Sequence, residues 1–224
     1  MKIKFCGNRS LHDVKLTIKS DADFLGFVFA RSKRRVLPED VKQWLNEAAL
    51  KPHQKTVGVF VNATLEEIAR AVKTASLDVV QLHGSETPDF CTQVKETCRV
   101  GVWKVIHHQA DAIGQMEKYA HIVDAFLIDN KSKSQWGGTG TAFDWSFVPH
   151  YLKKAHELKK SCFIAGGINA SNIHELLKFK PDGIDLASGI EANEQKDEMK
   201  ISELLNRMKQ FSDRKSTRLN SSHR

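Results

Sequence analysis

The sequence predicts a single (β/α)8 barrel. Eight short apolar runs alternate with amphipathic stretches, no linker or low-complexity block interrupts the series, and 224 residues match the roughly 200–250 residues of one such barrel. The expected strands are Ile3–Cys6, Phe24–Phe29, Thr56–Val61, Val79–Leu82, Val102–Ile106, Ala125–Asp129, Cys162–Ala165 and Gly183–Ala187. Each is brief and rich in Val, Ile, Leu or Phe, as strands buried on both faces must be. Between them, Thr64-Leu65-Glu66-Glu67 opens a helix with a capping box, and Asn172–Leu177 and Ile201–Phe211 repeat the spacing of a helix with one apolar face. Repeated βα units imply parallel strands joined by right-handed crossovers. Eight of them favour a closed barrel over an open sheet.

Composition narrows the function. A hydrophobic fraction of 41% supports a sizeable core. No apolar stretch approaches the roughly 20 residues that cross a bilayer, and Met1–Cys6 starts at once on a strand, which predicts a cytoplasmic chain without a signal peptide. Cys6, Cys91, Cys98 and Cys162 lack the paired spacing of disulfides or of a zinc site. The formal charge is +7, but Arg214, Lys215, Arg218 and Arg224 against Asp213 assign +3 of it to the last twelve residues. That tail has no apolar periodicity and resembles translated adapter or vector sequence. The expected organisation is therefore a domain over 1–212 and a non-native or disordered basic tail over 213–224. The body has few aromatics among its cations, which argues against nucleic acid.

In a barrel the chemistry sits at the C-terminal ends of the strands, and phosphate commonly binds the last loops. After the first strand comes Cys6-Gly7; the thiol is either inert packing or, with its pKa lowered by cationic neighbours, a base. After the second, Arg31, Lys33, Arg34 and Arg35 could grip a carboxylate or phosphate, and the spacing leaves open which arginine turns inward. His83 closes the fourth strand before Gly84, as a structural residue or as part of a pocket. Asp129 closes the sixth, where partial desolvation would raise its pKa and suit it to general-acid work. The glycine-rich loop Trp136–Gly140, with Gly138 and Gly140, could wrap an anion through backbone amides. Gly166 and Gly167 after the seventh strand, and Ser188 and Gly189 after the eighth, form the strongest candidate phosphate site, aided by the N-terminus of a short helix at Ser188.

Together these segments resemble the phosphoribosylanthranilate isomerases. The resemblance is carried by Cys6-Gly7, Leu25–Phe29 followed by Ser32-Lys33-Arg34, Val57–Asn62, Asp78–Gly84, Asp129 with Gly137–Gly140 and Phe143-Asp144-Trp145, Ala165–Asn169 and Gly183–Gly189. It spans Lys2–Phe211. It implies an Amadori rearrangement of N-(5-phosphoribosyl)anthranilate to 1-(2-carboxyphenylamino)-1-deoxyribulose 5-phosphate on the route to tryptophan. It further implies Asp129 as general acid, Cys6 as general base, Arg34 on the anthranilate carboxylate, and His83 and Asp185 lining the pocket. No metal or organic cofactor is implied. A monomer is the expected state, with a homodimer as the alternative. Two positions depart from the family pattern: Lys33, where proline is common, bears on the loop holding Arg34, and Asn8, in place of a hydrophobic residue, bears on the thiol's pKa. The rival barrels are an indole-glycerol-phosphate synthase, for which only Lys104 offers a strand-end lysine, and a dual-substrate isomerase, which needs aspartate in place of Cys6.

Overall fold

The computed structural model describes residues 1–130 and 143–221, with side chains described up to 213. Eight parallel strands close into a barrel in sequential order: β1 (Lys2–Phe5), β2 (Phe24–Val28), β3 (Lys55–Phe60), β4 (Val79–Leu82), β5 (Gly101–His107), β6 (Ala125–Asp129), β7 (Ser161–Ile164) and β8 (Gly183–Leu186), with β1 pairing β8. The helices α1 (Leu11–Lys19), α2 (Pro38–Glu47), α3 (Leu65–Ala75), α4 (Pro88–Cys98), α5 (Ala112–Tyr119), α6 (Val148–Glu157), α7 (Ile173–Leu177) and α8 (Glu198–Ser221) surround it. All eight expected strands form, with ends displaced by a residue or so. Cys6, for example, lies one residue past β1, yet its N–H still donates to the Leu186 carbonyl at 2.8 Å.

Local chemistry sets the helix starts. The Thr64 hydroxyl accepts from the Glu67 N–H at 3.2 Å while the Glu67 carboxylate accepts from the Thr64 N–H at 2.8 Å, the reciprocal cap legible in the sequence. Pro38 and Pro88 occupy first helical turns, where a missing N–H costs nothing.

Strand alternation divides the core in two. Outward side chains such as Phe5, Leu25, Phe27, Val80, Leu82 and Phe126 pack beneath the helices. Inward ones form a separate cluster, with the rings of Phe24, Trp103 and Phe163 in mutual contact at centroid separations of 4.6–5.7 Å. This aromatic plug fills the barrel towards the strand starts. Above it the inward positions turn polar: Lys4, Gln81, Asp185, and then Cys6, His83, His107 and Asp129.

Two features were not expected. A short hairpin, β9 (Glu191–Ala192) with β10 (Gln195–Lys196), follows β8. And α8 runs on to Ser221, so the boundary placed at residue 212 falls inside a helix rather than at an element's end. Among the described residues, the apolar α8 side chains that pack on the barrel are Ile201, Leu204, Leu205, Met208 and Phe211.

Candidate active site

A cavity of about 370 Å³ opens at the C-terminal mouth, lined from several strands by Cys6, Arg34, Gln81, His83, Asp129 and Asp185, with Gly166, Gly167 and Ser188 at one side. This is the size of a small-molecule pocket. The barrel thus brings together sequence-distant residues from both ends of the chain.

Cys6 is buried at the wall of the cavity. Burial pushes its thiol above the ordinary value, with Lys4 pulling against that rise. The expectation of a lowered pKa is therefore corrected for this site: the cations are present, but the loss of water outweighs them. Asn8 does not act on the thiol. Its amide donates to the carbonyls of Phe5 at 2.9 Å and Gly26 at 3.1 Å and accepts from Thr17 at 2.6 Å, locking the turn after β1.

Both Arg31 and Arg34 line the cavity, Arg31 exposed at its edge and Arg34 buried. The Arg34 side chain crosses Gly7, where an added Cβ would come within 2.4 Å of Arg34 Cδ. The guanidinium fork is bidentate on Glu191, with Nε donating at 3.0 Å and Nη2 at 2.6 Å. Lys196 donates to the same carboxylate at 2.8 Å and to the Cys6 carbonyl at 2.6 Å. The hairpin thus clamps Arg34 against the first strand. Lys33, at the departing position, pairs with Glu194 of the same hairpin at 3.3 Å.

Across the mouth, Asp129 Oδ2 lies 3.3 Å from His83 Nε2, and its Oδ1 accepts from the Asn130 N–H at 2.8 Å. Gly166 passes close over this carboxylate with φ +86, and a Cβ there would sit 2.8 Å from Asp129 Oδ1. Such a φ is open to glycine at little cost. Asp185 lines the cavity as expected, but its carboxylate is held by Lys4, whose Nζ donates to both oxygens at 3.0 Å.

Beside Gly167, Ser188 and Gly189, a second cavity of about 430 Å³ opens towards Asn169, Ser171 and Lys200. Gly189 is pressed against the preceding loop: a Cβ would fall 1.9 Å from the Ile168 carbonyl oxygen. The helix at Ser188 is a single 3-10 turn, Ser188–Ile190, too short to sum a substantial dipole. Gly138 and Gly140 lie outside the described residues.

Sequence reasoning missed Lys4, Gln81, Glu191 and Lys196. Lys4 and Gln81 each stand two residues before a predicted site residue, and so on the same strand face; that periodicity was the available signal. Gln81 is buried, and its Oε1 accepts no hydrogen bond among the described residues. The hairpin residues carry no comparable signal. Lys104, weighed for the synthase reading, faces away from the cavity and pairs with Glu86 at 3.0 Å.

A sequence model of the N-(5'-phosphoribosyl)anthranilate isomerases matches residues 3–207. A relative from Geobacillus thermodenitrificans with that name is 47% identical over 211 residues, 94% of this chain and 95% of its own. The chain belongs to the N-(5'-phosphoribosyl)anthranilate isomerase family. Among solved structures of this isomerase family, the one from Thermus thermophilus aligns with a TM-score of 0.81 at 32% identity, covering 94% of this chain and 99% of that one. Another, in complex with reduced 1-(o-carboxyphenylamino)-1-deoxyribulose 5-phosphate, aligns with a TM-score of 0.79 at 29% identity, covering 93% and 98%.

Proposed function

We propose that this cavity carries out the family's reaction, the Amadori rearrangement of N-(5'-phosphoribosyl)anthranilate to 1-(2-carboxyphenylamino)-1-deoxyribulose 5-phosphate in tryptophan biosynthesis, with Asp129 as general acid and Cys6 as general base. The carrying observation is that Cys6 and Asp129, from non-adjacent strands, face one cavity with a clamped arginine on one side and glycine loops on the other.

The chemistry assigns each group a task. Asp129 protonates the furanose ring oxygen, the C1–O bond breaks, and the anthranilate nitrogen's lone pair forms a protonated Schiff base at C1. Cys6 removes the C2 proton, and its electrons flow to that nitrogen, giving an enolamine. Ketonisation moves a proton from the C2 hydroxyl to C1. The substrate nitrogen is the electron sink, so the scheme calls for no metal or organic cofactor. The Arg34 guanidinium, held through Nε and Nη2, presents its remaining edge to the anthranilate carboxylate, and a bidentate clamp on the far side fixes that presentation. The backbone around Gly166, Gly167, Ser188 and Gly189 takes the phosphate, with Gly138 and Gly140 contributing from the loop after β6. His83 and Asp185 shape the pocket.

No described helix is long and apolar enough to cross a membrane, and a cytoplasmic location is the companion proposal. So is a monomer: among the described residues the exposed large hydrophobics Met1, Leu37, Phe147 and Met199 belong to separate parts of the chain and do not suggest a single apolar face. Sedimentation at micromolar concentration tests it; a dimer there sinks the monomer reading.

The activity test uses freshly generated phosphoribosylanthranilate, whose conversion is followed by its fluorescence. Cys6→Ser and Asp129→Asn should each lower kcat by a factor on the order of 10²–10⁴. Near-normal turnover in Cys6→Ser would reduce the thiol to packing.

A further inference from the structure

The scheme above leaves Lys4 without a task. Its side chain is fully buried beneath the cavity, two residues before Cys6 and so on the same inward face of β1. The barrel register sets Lys4 opposite Asp185 across the β1/β8 ladder, and the ammonium donates to both carboxylate oxygens at 3.0 Å. It also approaches the thiol. A Cβ placed on Gly26 of the neighbouring strand would meet Cys6 Sγ at 2.8 Å and Lys4 Nζ at 3.1 Å. The two atoms share the space over one glycine, within the roughly 4–6 Å over which an opposite charge favours ionisation. Gly26, by lacking a side chain, is what lets them meet. An aliphatic side chain would fill this interior without the penalty of dehydrating an ammonium, so a lysine here calls for a function.

We propose that Lys4 is a positioning residue for the reaction: its ammonium, shared between Asp185 and Cys6, stabilises the thiolate that takes the C2 proton. The proposal rests on the reading of Cys6 as the base. Asp185 keeps the lysine charged in a dry interior, and the lysine lends that charge to the sulfur. The other charged groups around Cys6 are placed differently. Lys196 donates to the Cys6 carbonyl, is paired with Glu191 and adds a smaller pull on the thiol than Lys4. Arg34, also coupled to the thiol, is clamped by the same Glu191. Asp185 by itself disfavours the thiolate, and His83 and Asp129 stand across the cavity. Burial raises the thiol, and the largest opposing influence is Lys4. The lysine itself lies above its ordinary value, since Asp185 and the thiol together outweigh its burial.

The test reads the Cys6 pKa directly, without substrate. Iodoacetamide reacts with the thiolate, and peptide mass spectrometry separates Cys6 from Cys91, Cys98 and Cys162. In Lys4→Met, alkylation of Cys6 at pH 7 should slow by ~10-fold or more, the consequence of a rise of at least one pKa unit, and the acid limb of the kcat/KM profile should move up in pH. A folded Lys4→Met variant alkylated at the wild-type rate overturns the proposal. Should a lone buried Asp185 prevent folding, Lys4→Gln removes the charge but keeps an amide that can donate to the Asp185 carboxylate, and leaves in place the carboxylate that itself disfavours the thiolate. Slowed Cys6 alkylation in that variant supports the proposal; a wild-type rate overturns it. Normal turnover in Cys6→Ser defeats the base reading instead. An inactive Cys6→Ser beside an unshifted Cys6 in Lys4→Met defeats only the role given to Lys4.

Discussion

Glu191 accepts hydrogen bonds from Arg34 and Lys196 at once, in a place nearly closed to water. Burial works against its charge, but the two cations outweigh burial and hold its carboxyl below the ordinary range. The sign of the pH dependence follows. A carboxylate with a depressed folded pKa contributes stability that is present above its unfolded value of about 4.3 and lost as pH falls through the folded value. Glu191→Gln should therefore flatten the acid limb of stability. At pH 7 it should cost about 3–5 kcal/mol, because it orphans two buried cations, and it should raise KM by freeing Arg34. Urea unfolding at pH 7 and pH 4 checks both. A loss under 1 kcal/mol at pH 7, far below the cost of breaking a buried pair, would show that Arg34 and Lys196 find other partners. At this scale sequence reading was partial. Cys6, His83 and Asp129 were legible as cavity residues because each ends a strand, whereas Arg34 was singled out from its cationic loop only by the family resemblance. Glu191 and Lys196 were not, since no periodicity marks a two-residue strand.

The loops after β7 and β8 act together as an element. Gly189 touches the Ile168 carbonyl so closely that a methyl group at its Cα would fall 1.9 Å from that oxygen. Backbone, unlike the end of a flexible side chain, cannot swing aside. Gly189→Ala should separate the two loops, costing about 1–3 kcal/mol of stability, as overpacking does. It should weaken binding of the reduced product analogue more than it lowers stability would suggest, because the displaced amides are those proposed to hold phosphate. Calorimetric titration with that analogue measures the effect. Unchanged affinity in a folded Gly189→Ala would place the phosphate elsewhere. Here the glycines in the sequence pointed to two loops that the structure presses together, but not to the reason. The crowding at Gly189 comes from Ile168, in a loop that precedes it by a whole βα unit, and spacing along one chain segment does not register it.

For the whole molecule, among the described side chains α8 packs on the barrel through Ile201, Leu204, Leu205, Met208 and Phe211, and the sequence from residue 213 on carries no apolar periodicity. Truncation after Ser212 should leave the melting transition and turnover essentially unchanged, even though the helix continues to Ser221. A stability loss above about 1 kcal/mol, outside the range of ordinary surface changes, would show that residues 213–224 pack on the barrel.

What the sequence alone determined is the periodic part of this protein: eight buried strands, the βα alternation that closes them, and the residues that end strands at the mouth. These follow from local rules of burial, capping and glycine placement, which operate over a few residues and are written in order along the chain. Tertiary structure alone decided which charges meet. Lys4 faces Asp185 because barrel closure pairs the first strand with the last, and Arg34 reaches Glu191 because a hairpin near the end of the chain folds back over the second loop. Even the thiol's direction was decided there. Neighbouring cations can be counted in a sequence, but the loss of water that outweighs them exists only once the barrel has closed around Cys6.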